Sequence, residues 1–298
     1  MQTLYFFMDL KKGVKEDMET IKQGFNLYLY YLTLPVLLIF ILLNTLAPIY
    51  HVESVDISLM ISVVTFLFGF LISISFSLIL AKVSSLKSAL AVETGRLVSI
   101  FHLSKFLGKE FHERVRQHID NYTVNTLRDY TSYDVGRESL YNLYDDLDLM
   151  EVKTEKQSVH ANSLAYIIGE FESNRENLEY LTQRGLLFSL KAANYLLGII
   201  LIVLLFLNRN DFFTNCLFIV LSTVIIFILL IIEDYDDLRI GDYTFNISNS
   251  EQLFDLLGKP RYYPKGILNR VKLVHGKTYR VGVINYSTGK EKVINMRY

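Results

Sequence analysis

The sequence predicts an all-α membrane protein with four transmembrane helices, a cytosolic helical domain between spans two and three, and a small C-terminal β-hairpin. Three observations lead to this fold class. Hydrophobic residues make up 51% of the 298 residues, and they are concentrated in runs long enough to cross a bilayer. Between the runs, apolar residues recur at helical spacing. The final segment instead reads as two short strands around residues 287–290.

The apolar pattern also predicts the domain boundaries and the topology. The predicted segments are an N-terminal tail (1–24), a transmembrane hairpin (25–81), a helical domain (82–184), a second transmembrane hairpin (185–232), an acidic exit with a cap (233–267) and a basic hairpin (268–298). Lys and Arg are frequent in the tail and around the helical domain, whereas the two short loops contain only Arg209. The positive-inside rule therefore predicts an inner (plasma) membrane protein with both termini in the cytoplasm.

The first apolar run, residues 27–47, follows a charged tail and is longer than the apolar region of a secretory signal. We therefore expect a retained transmembrane helix. Pro35 lies inside this run and predicts a kink or the entry of the helix.

The second run, residues 57–81, is the centre of the predicted architecture. It has no charged residue between Asp56 and Lys82, which corresponds to about 37 Å of helix, against a bilayer core of about 30 Å. No helix breaker follows it, so one helix is predicted to continue out of the membrane. Small or hydroxyl side chains recur on this helix at helical spacing, namely Ser62, Thr65, Gly69, Ser73 and Ser77.

This face of small residues has two interpretations. In the first it packs against another helix, because the small-xxx-small spacing from Gly69 to Ser77 allows close approach. In the second it lines a pore, with hydroxyl groups facing water, apolar rings at constrictions and lysines that concentrate anions at the inner vestibule. The pore interpretation adds Phe66, Phe70, Phe76, Lys82 and Lys87 to the face.

The third and fourth spans, residues 185–207 and 212–232, form a hairpin with a very short turn. Lys191 and Asn194 lie in the first third of span three. If the helix begins at residue 185, Lys191 is about 9 Å inside it. The ammonium group then either extends to the inner interface or, together with Asn194, lines a route for anions.

The segment between spans two and three is predicted to be helical throughout, with breaks near residues 107–109, 131–136 and 150–154. Glu93 and Arg96 stand three residues apart just after span two, and this spacing predicts an ion pair on the surface of one helix.

Several segments together are similar to one known family. They are SLKSALAVETGRL after span two, the helix RVRQHIDNYTVNTLRDY, the paired spans three and four, and the acidic exit IIEDYDDLRIGDYTFNISNSEQLFDLLGKPRYYP. In this order they resemble the bestrophin-like membrane proteins of bacteria and plants, over residues 30–264. Bestrophins are four-span pentameric anion channels with a pore along the second span and a cytosolic helical domain. The resemblance therefore implies a homo-oligomer, a pentamer, that conducts anions.

The same resemblance implies a possible calcium site. An acidic run just after the fourth span binds calcium in bestrophins, and Glu233, Asp234, Asp236 and Asp237 occupy the similar place here. Carboxylate oxygens are the ligands that Ca²⁺ prefers. The run is shorter than in bestrophins and is interrupted by Tyr235. The alternative is a solvated acidic helix end that pairs with nearby basic residues, and no EF-hand spacing is present.

The remaining patterns give no positive case for an enzyme, and no other cofactor is predicted. His112 and His118 are six residues apart, so they do not share a helix face as a zinc pair does. A single cysteine, Cys216, excludes a disulfide within the chain. A net charge of −1 gives no reason to expect a nucleic-acid partner, so the predicted partners are membrane lipid, anions and further copies of the chain.

The alternative function is a non-conducting membrane scaffold or sensor. In that interpretation the helical domain or the tail from residue 268 recruits a partner. The tail contains seven Lys or Arg residues and one Glu, so it is locally basic and suited to anionic lipid head groups.

Overall fold

The computed structural model describes residues 25–47, 55–128, 134–236, 243–265, 268, 271, 273–284 and 291–298. In chain order the helices are α1 (Phe25–Leu46), α2 (Val55–Ser104), α3 (Lys109–Arg128), α4 (Asp134–Asp148), α5 (Glu155–Gln183), α6 (Phe188–Leu207), α7 (Phe212–Asp236) and α8 (Tyr243–Leu257). The strands are β1 (Tyr262–Pro264), β2 (Thr278–Ile284) and β3 (Glu291–Arg297). The fold is therefore mostly helical with a small C-terminal sheet, as predicted.

The chain divides into two compact units, and the division falls inside α2. The first unit consists of Met1–Val83 and Gly185–Gly241, and the second consists of Ser84–Arg184 and Asp242–Tyr298. Each unit thus contains two separate stretches of the chain. The predicted single helix from span two into the following segment is confirmed, because α2 is continuous over 50 residues.

Among the residues that the structure describes, three helical stretches are long and apolar enough to cross a membrane. They lie within Ile57–Leu107, Glu155–Leu207 and Phe212–Asp236, which contain the predicted spans two, three and four. A shorter apolar stretch, Thr33–Leu46, belongs to α1 and includes Pro35. The prediction of four spans therefore depends on α1.

The core of the first unit combines phenylalanine and aliphatic side chains from α1, α2, α6 and α7. Its buried members are Phe40, Phe68, Ile72, Ile79, Leu201, Leu205, Phe218, Ile225, Leu229 and Ile232. Gly198 allows α6 to approach its neighbours closely: a Cβ atom there would lie 3.1 Å from Leu229 Cδ1 and 3.3 Å from Ile225 Cγ2. A Cβ atom at this position would require these side-chain atoms to shift by a few tenths of an ångström.

The loop between α6 and α7 is held by Arg209, which is buried. Its guanidinium lies 3.8 Å from the centre of the Phe206 ring, and Nη1 donates to the backbone oxygen of Asn44 at 3.4 Å. The sequence treats Arg209 only as a loop charge. In the structure it ties the end of α1 to the α6–α7 turn, because a buried guanidinium needs acceptors and aromatic faces.

The second unit contains the rest of α2 together with α3, α4, α5 and α8. Its main core includes Ile100, Val115, Ile119, Leu164 and Ile168, which are all completely buried. Gly108 has φ +117°, a value that favours glycine, and it separates α2 and its short 3₁₀ turn from α3. The predicted break at residues 107–109 is thereby confirmed. The break at 150–154 is also confirmed, since Thr154 caps α5 by accepting from the Gln157 N–H.

The C-terminal sheet has the strand order β1-β2-β3. β2 and β3 pair antiparallel from Thr278↔Arg297 to Ile284↔Glu291, which confirms the predicted hairpin. β1 pairs parallel to β2 and was not predicted, because three residues are too short for a strand pattern. Tyr262 and Tyr263 of β1 and Tyr279 of β2 are buried against Val124, Leu127, Ile247 and Phe254. The basic tail is therefore partly a core element of the second unit.

Candidate functional site

The outward side of α2 carries the predicted small and hydroxyl residues. All five of them are exposed in the described chain: Ser62, Thr65, Gly69, Ser73 and Ser77. A Cβ atom added at Gly69 would meet no described atom within 4 Å. The opposite side of α2 is buried in the core of the first unit. Within one chain, the packing of α2 thus uses the other side of the helix.

The three phenylalanines that the pore interpretation places at constrictions differ in exposure. Phe66 is 72% exposed and Phe70 is 58% exposed, and both lie on the side of α2 that also carries the hydroxyl groups. Phe76 is only partly exposed because it packs against the core of the first unit. Phe66 and Phe70 are therefore the apolar rings that accompany the hydroxyl face, and Phe76 lies at its border.

The hydroxyl groups donate their protons to their own helix. Ser62, Ser73 and Ser77 each donate to the carbonyl oxygen four residues earlier, at 2.9, 2.8 and 2.9 Å. Their oxygen lone pairs are directed away from these bonds, so the face offers neutral polar groups without breaking the helix. It contains no formal charge between Ser62 and Ser77.

Lys82 does not lie on this face. It is nine residues after Ser73, which is about 180° around a regular helix. Its Nζ donates to the backbone oxygen of Asp236 at 2.7 Å and lies 3.9 Å from Asp236 Oδ1. The ammonium group therefore caps the end of α7, where the carbonyl groups of a helix favour a cation. The structure separates Lys82 from the residues with which the pore interpretation grouped it.

Asp236 is the centre of a group of polar contacts at the end of α7. Its side chain is 3% exposed, and its Oδ2 lies 2.6 Å from Lys191 Nζ. Its Oδ1 accepts the backbone N–H of Leu186 at 2.7 Å. These contacts hold residues 184–187 in a non-helical conformation, so α6 begins at Phe188 rather than at residue 185. Lys191 is therefore in the first turn of α6, and its partner is a carboxylate.

Asn194 lies on the buried side of α6, with 1% of its surface exposed. Its Nδ2 donates to Ser75 Oγ at 2.6 Å, and Ser75 Oγ donates to the carbonyl of Leu71 at 2.9 Å. This bond joins α6 to α2 within the apolar core. The sequence gives one signal for this hydrogen bond: Ser75 is a hydroxyl residue in span two that does not lie on the face of small residues.

The acidic exit has two kinds of carboxylate. Asp234 and Asp236 are buried, whereas Glu233 is 39% exposed and lies 3.3 Å from Lys191 Nζ. Asp237 lies outside the described residues. Within the described ranges no three His, Cys, Asp or Glu side chains come close enough to hold a metal ion. Calcium at this position stays a prediction, and the described contacts of Asp236 are to lysines and a backbone N–H.

The second unit contains a buried charged cluster that joins α2 to α3 and α5. Tyr122 donates to Glu93, and Arg175 Nη1 lies 3.7 Å from the Glu93 carboxylate. Burial raises the pKa of Glu93, and the charge of Arg175 partly opposes that shift. The predicted surface pair of Glu93 with Arg96 is wrong, because Arg96 instead contacts Glu170 at 2.9 Å. Both side chains have a better partner on α5 than on their own helix.

The two histidines that fail as a zinc pair have separate partners. His112 Nδ1 lies 2.7 Å from Ser104 Oγ, and burial lowers the pKa of His112. His118 Nε2 lies 2.9 Å from Asp146 Oδ2. Since Ser104 is completely buried, this serine–histidine contact closes the corner between α2 and α3 and gives no access to a substrate.

Known proteins have a similar sequence pattern or a similar fold. A family model described as the Bestrophin-like domain matches residues 31–244. A solved variant of a bacterial bestrophin homologue from Klebsiella pneumoniae has a similar fold, with a TM-score of 0.53 and 11% identity, covering 80% of this chain and 98% of that chain. A structure described as a membrane protein gives a TM-score of 0.53 at 13% identity, covering 78% and 98%. No curated protein sequence matches the chain significantly.

Proposed function

The chain belongs to the bestrophin-like family, and from that premise we propose that it is an oligomeric membrane channel that conducts anions along α2. The observation that carries this proposal is the division of α2 into two sides. One side is buried in the core of the first unit, and the other exposes hydroxyl groups and two phenylalanine rings. A side that faced only lipid would gain nothing from hydroxyl groups, whereas a water-filled pore needs polar groups between apolar constrictions.

A single helix cannot enclose a pore, so the proposal requires several copies around one axis. The resemblance to bestrophins implies five copies. In that arrangement Ser62, Thr65, Gly69, Ser73 and Ser77 face the axis with Phe66 and Phe70. Where neighbouring α2 helices touch around the axis, the same residues would also pack against the next copy. The pore-lining role and the packing role therefore both use the exposed side of α2.

The proposed topology has four spans, with both termini and the helical domain in the cytoplasm. The distribution of Lys and Arg supports it, because the loops assigned to the outside contain only Arg209. Preference for anions then depends on cations near the inner mouth. Lys82 is turned toward Asp236, whereas Lys87 is exposed and lies fourteen residues after Ser73, about 40° from it around a regular helix. We therefore assign the anion-attracting role to Lys87.

The test is chloride flux through the purified protein in liposomes, with single-channel recording in planar bilayers. Phe70→Ala should raise conductance several-fold if its ring forms a constriction. Phe213→Ala is the matched control, because Phe213 is 68% exposed but lies on α7. Lys87→Gln should reduce the preference for chloride over potassium, and added Ca²⁺ in the same assay tests the predicted calcium dependence.

The outcome that opposes the proposal is an intact oligomer that conducts no ion in any salt. The protein would then fit the scaffold or sensor function better. Equal conductance of Phe70→Ala, Phe213→Ala and the unchanged protein would instead keep the channel but move the constriction away from Phe70.

A further inference from the structure

The outer edge of β3 is open in the part of the chain that the structure describes. β3 stands last in the strand order and, among the described strands, pairs only with β2. Val293 is 41% exposed and Ile294 is 45% exposed. Because neighbouring residues of a strand point to opposite faces of the sheet, both faces of β3 are exposed as well as its edge. An apolar edge strand of this kind is a template for a further strand.

The contacts of Tyr298 show which backbone groups point to this edge. Tyr298 directly follows β3. Its N–H donates to the Lys277 oxygen at 3.1 Å, and its own oxygen accepts the Gly276 N–H at 2.7 Å, so residue 298 faces the β2 side. In an antiparallel pair the backbone groups of successive residues point alternately toward the partner strand and away from it. The N–H and C=O groups directed to the open edge are therefore those of residues 291, 293, 295 and 297.

The sequence of β3, EKVINMR, is complementary to itself in one antiparallel register. This register is centred on Ile294, which stands opposite Ile294 of a second copy. Residue 293 then stands opposite residue 295 of the second copy, and each such pair of edge residues can exchange two backbone hydrogen bonds. Glu291 stands opposite Arg297, and opposite charges in this position favour strand pairing. A shift by two residues in either direction removes the pairing of these charges.

We propose that β3 pairs antiparallel with β3 of a second copy of the chain in this register. The two sheets then form one continuous sheet of six strands, three from each copy. Two-fold symmetry uses the Glu291–Arg297 pair twice, once at each end, and places the apolar Ile294 pair at the centre. A second copy is the partner because β3 itself supplies the matching backbone groups, the apolar centre and the opposite charges.

The pairing would join separate oligomers and would not close one. A two-fold contact pairs copies one to one, so it cannot complete a ring with an odd number of copies. In the arrangement of five copies proposed above, β3 therefore links copies of different rings and gathers channels in the membrane. This consequence rests on the proposed number of copies, whereas the strand pairing itself does not.

The test is disulfide cross-linking of the full-length protein in isolated membranes. Cys216→Ser first removes the single cysteine, which is exposed. Ile294→Cys in that background places two thiols opposite each other in a pair without backbone hydrogen bonds. The Cα atoms of such a pair are about 4.5 Å apart, a distance that a disulfide spans. We expect a two-chain band on a non-reducing gel after mild oxidation, and we expect reduction to remove it.

Lys292→Cys in the same background is the matched control. Lys292 is exposed and shares a face of β3 with Ile294. In the proposed register the two copies of residue 292 are displaced by four residues along the strands, about 13 Å, which no disulfide spans. We expect at least about tenfold less two-chain product than with Ile294→Cys. Equal unfolding temperatures of the two variants check that the fold is retained.

An exchange of charges tests the register separately. Arg297→Glu, added to Ile294→Cys, places two acidic residues opposite each other at both ends of the pairing. It should lower the cross-linking rate at least about fivefold. Further addition of Glu291→Lys returns opposite charges to these positions and should restore the rate. Lys153→Glu changes an exposed charge of the second unit outside the hairpin and should leave the rate unchanged.

Three outcomes would overturn the proposal. Absence of the two-chain band with Ile294→Cys would leave the β3 edge to a strand of a different protein. Equal cross-linking of Ile294→Cys and Lys292→Cys would exclude the register centred on Ile294. A rate that Arg297→Glu does not lower, or that Glu291→Lys does not restore, would exclude the pairing of charges. None of these readouts requires ion conduction, so failure of the strand pairing and failure of the channel function are distinguishable.

Discussion

Asp236→Asn should destabilise the protein much more than Glu233→Gln, although Lys191 contacts both carboxylates. The Asp236 side chain is 3% exposed and its Oδ2 lies 2.6 Å from Lys191 Nζ. Glu233 is 39% exposed, and its Oε1 lies 3.3 Å from the same atom. Water competes for the exposed carboxylate and not for the buried one. The two variants therefore compare a buried carboxylate with an exposed one, and the cationic partner of both is Lys191.

The magnitude follows from the bonds of the buried carboxylate. Asp236 accepts from Lys191 and from the Leu186 N–H, and each charge-assisted bond contributes about 1.5–3 kcal/mol. Asparagine keeps one neutral bond of about 1 kcal/mol, so the expected loss is about 2–5 kcal/mol of unfolding free energy. That corresponds to about 3–8 °C in Tm for a chain of 298 residues. Glu233→Gln should cost less than about 1 kcal/mol.

The assay is thermal unfolding of the full-length protein in detergent, followed by circular dichroism, for Asp236→Asn, Lys191→Met and the double variant. The double-mutant cycle isolates the energy of the pair from the separate effects of each substitution. We expect a coupling energy of about 1–3 kcal/mol. Equal Tm values for Asp236→Asn and Glu233→Gln, or a coupling energy below about 0.5 kcal/mol, would refute the reasoning from burial.

Two further predictions concern the second unit. Because burial raises the pKa of Glu93 above its ordinary value of 4.5, the folded protein binds more protons than the unfolded chain just above that pH, and its stability should fall as pH rises through the folded pKa. Tm measured against pH should therefore decline more for the unchanged protein than for Glu93→Gln, and parallel curves would contradict this. Arg280→Gln leaves Asp120 buried without its bidentate partner and should cost about 3–5 kcal/mol. Hydrogen exchange of β2 and β3 should then accelerate, whereas Lys292→Gln on the exposed side of β3 should leave it unchanged.

The helices and the hairpin could be predicted because their signals are local. Apolar runs, a glycine at residue 108 and alternation around residues 287–290 are read from neighbouring residues. The contacts that organise each unit are not local. Asp236 is 154 residues from Lys82, and Asn194 is 119 residues from Ser75. Spacing along the chain carries no information on such pairs, so the sequence could identify these residues as unusual without giving their partners.

The basic residues of the C-terminal tail are not all available to a partner, because part of the tail packs into the second unit. From residue 268 the sequence is basic, which suggested a detachable segment for anionic lipid or a partner. In the structure Arg280 neutralises Asp120, and Tyr279 and Val281 belong to the buried core. Deleting the tail would therefore unfold part of the second unit. Substitution of exposed charges such as Lys292 and Arg297 is the cleaner test of the scaffold function.

The two sides of α2 also limit what Lys82 can do. The helix buries Phe68, Ile72 and Ile79 and exposes Gly69 and Ser73, which are about 80° and 120° around a regular helix from the middle of the buried side. Lys82 falls on the buried side and is bound to Asp236. A rotation of α2 that brought Lys82 to the exposed side would break this contact and remove three core side chains from their neighbours. In this packing the observed contact of Lys82 is with the end of α7, and the predicted anion-attracting role of Lys82 stays a prediction.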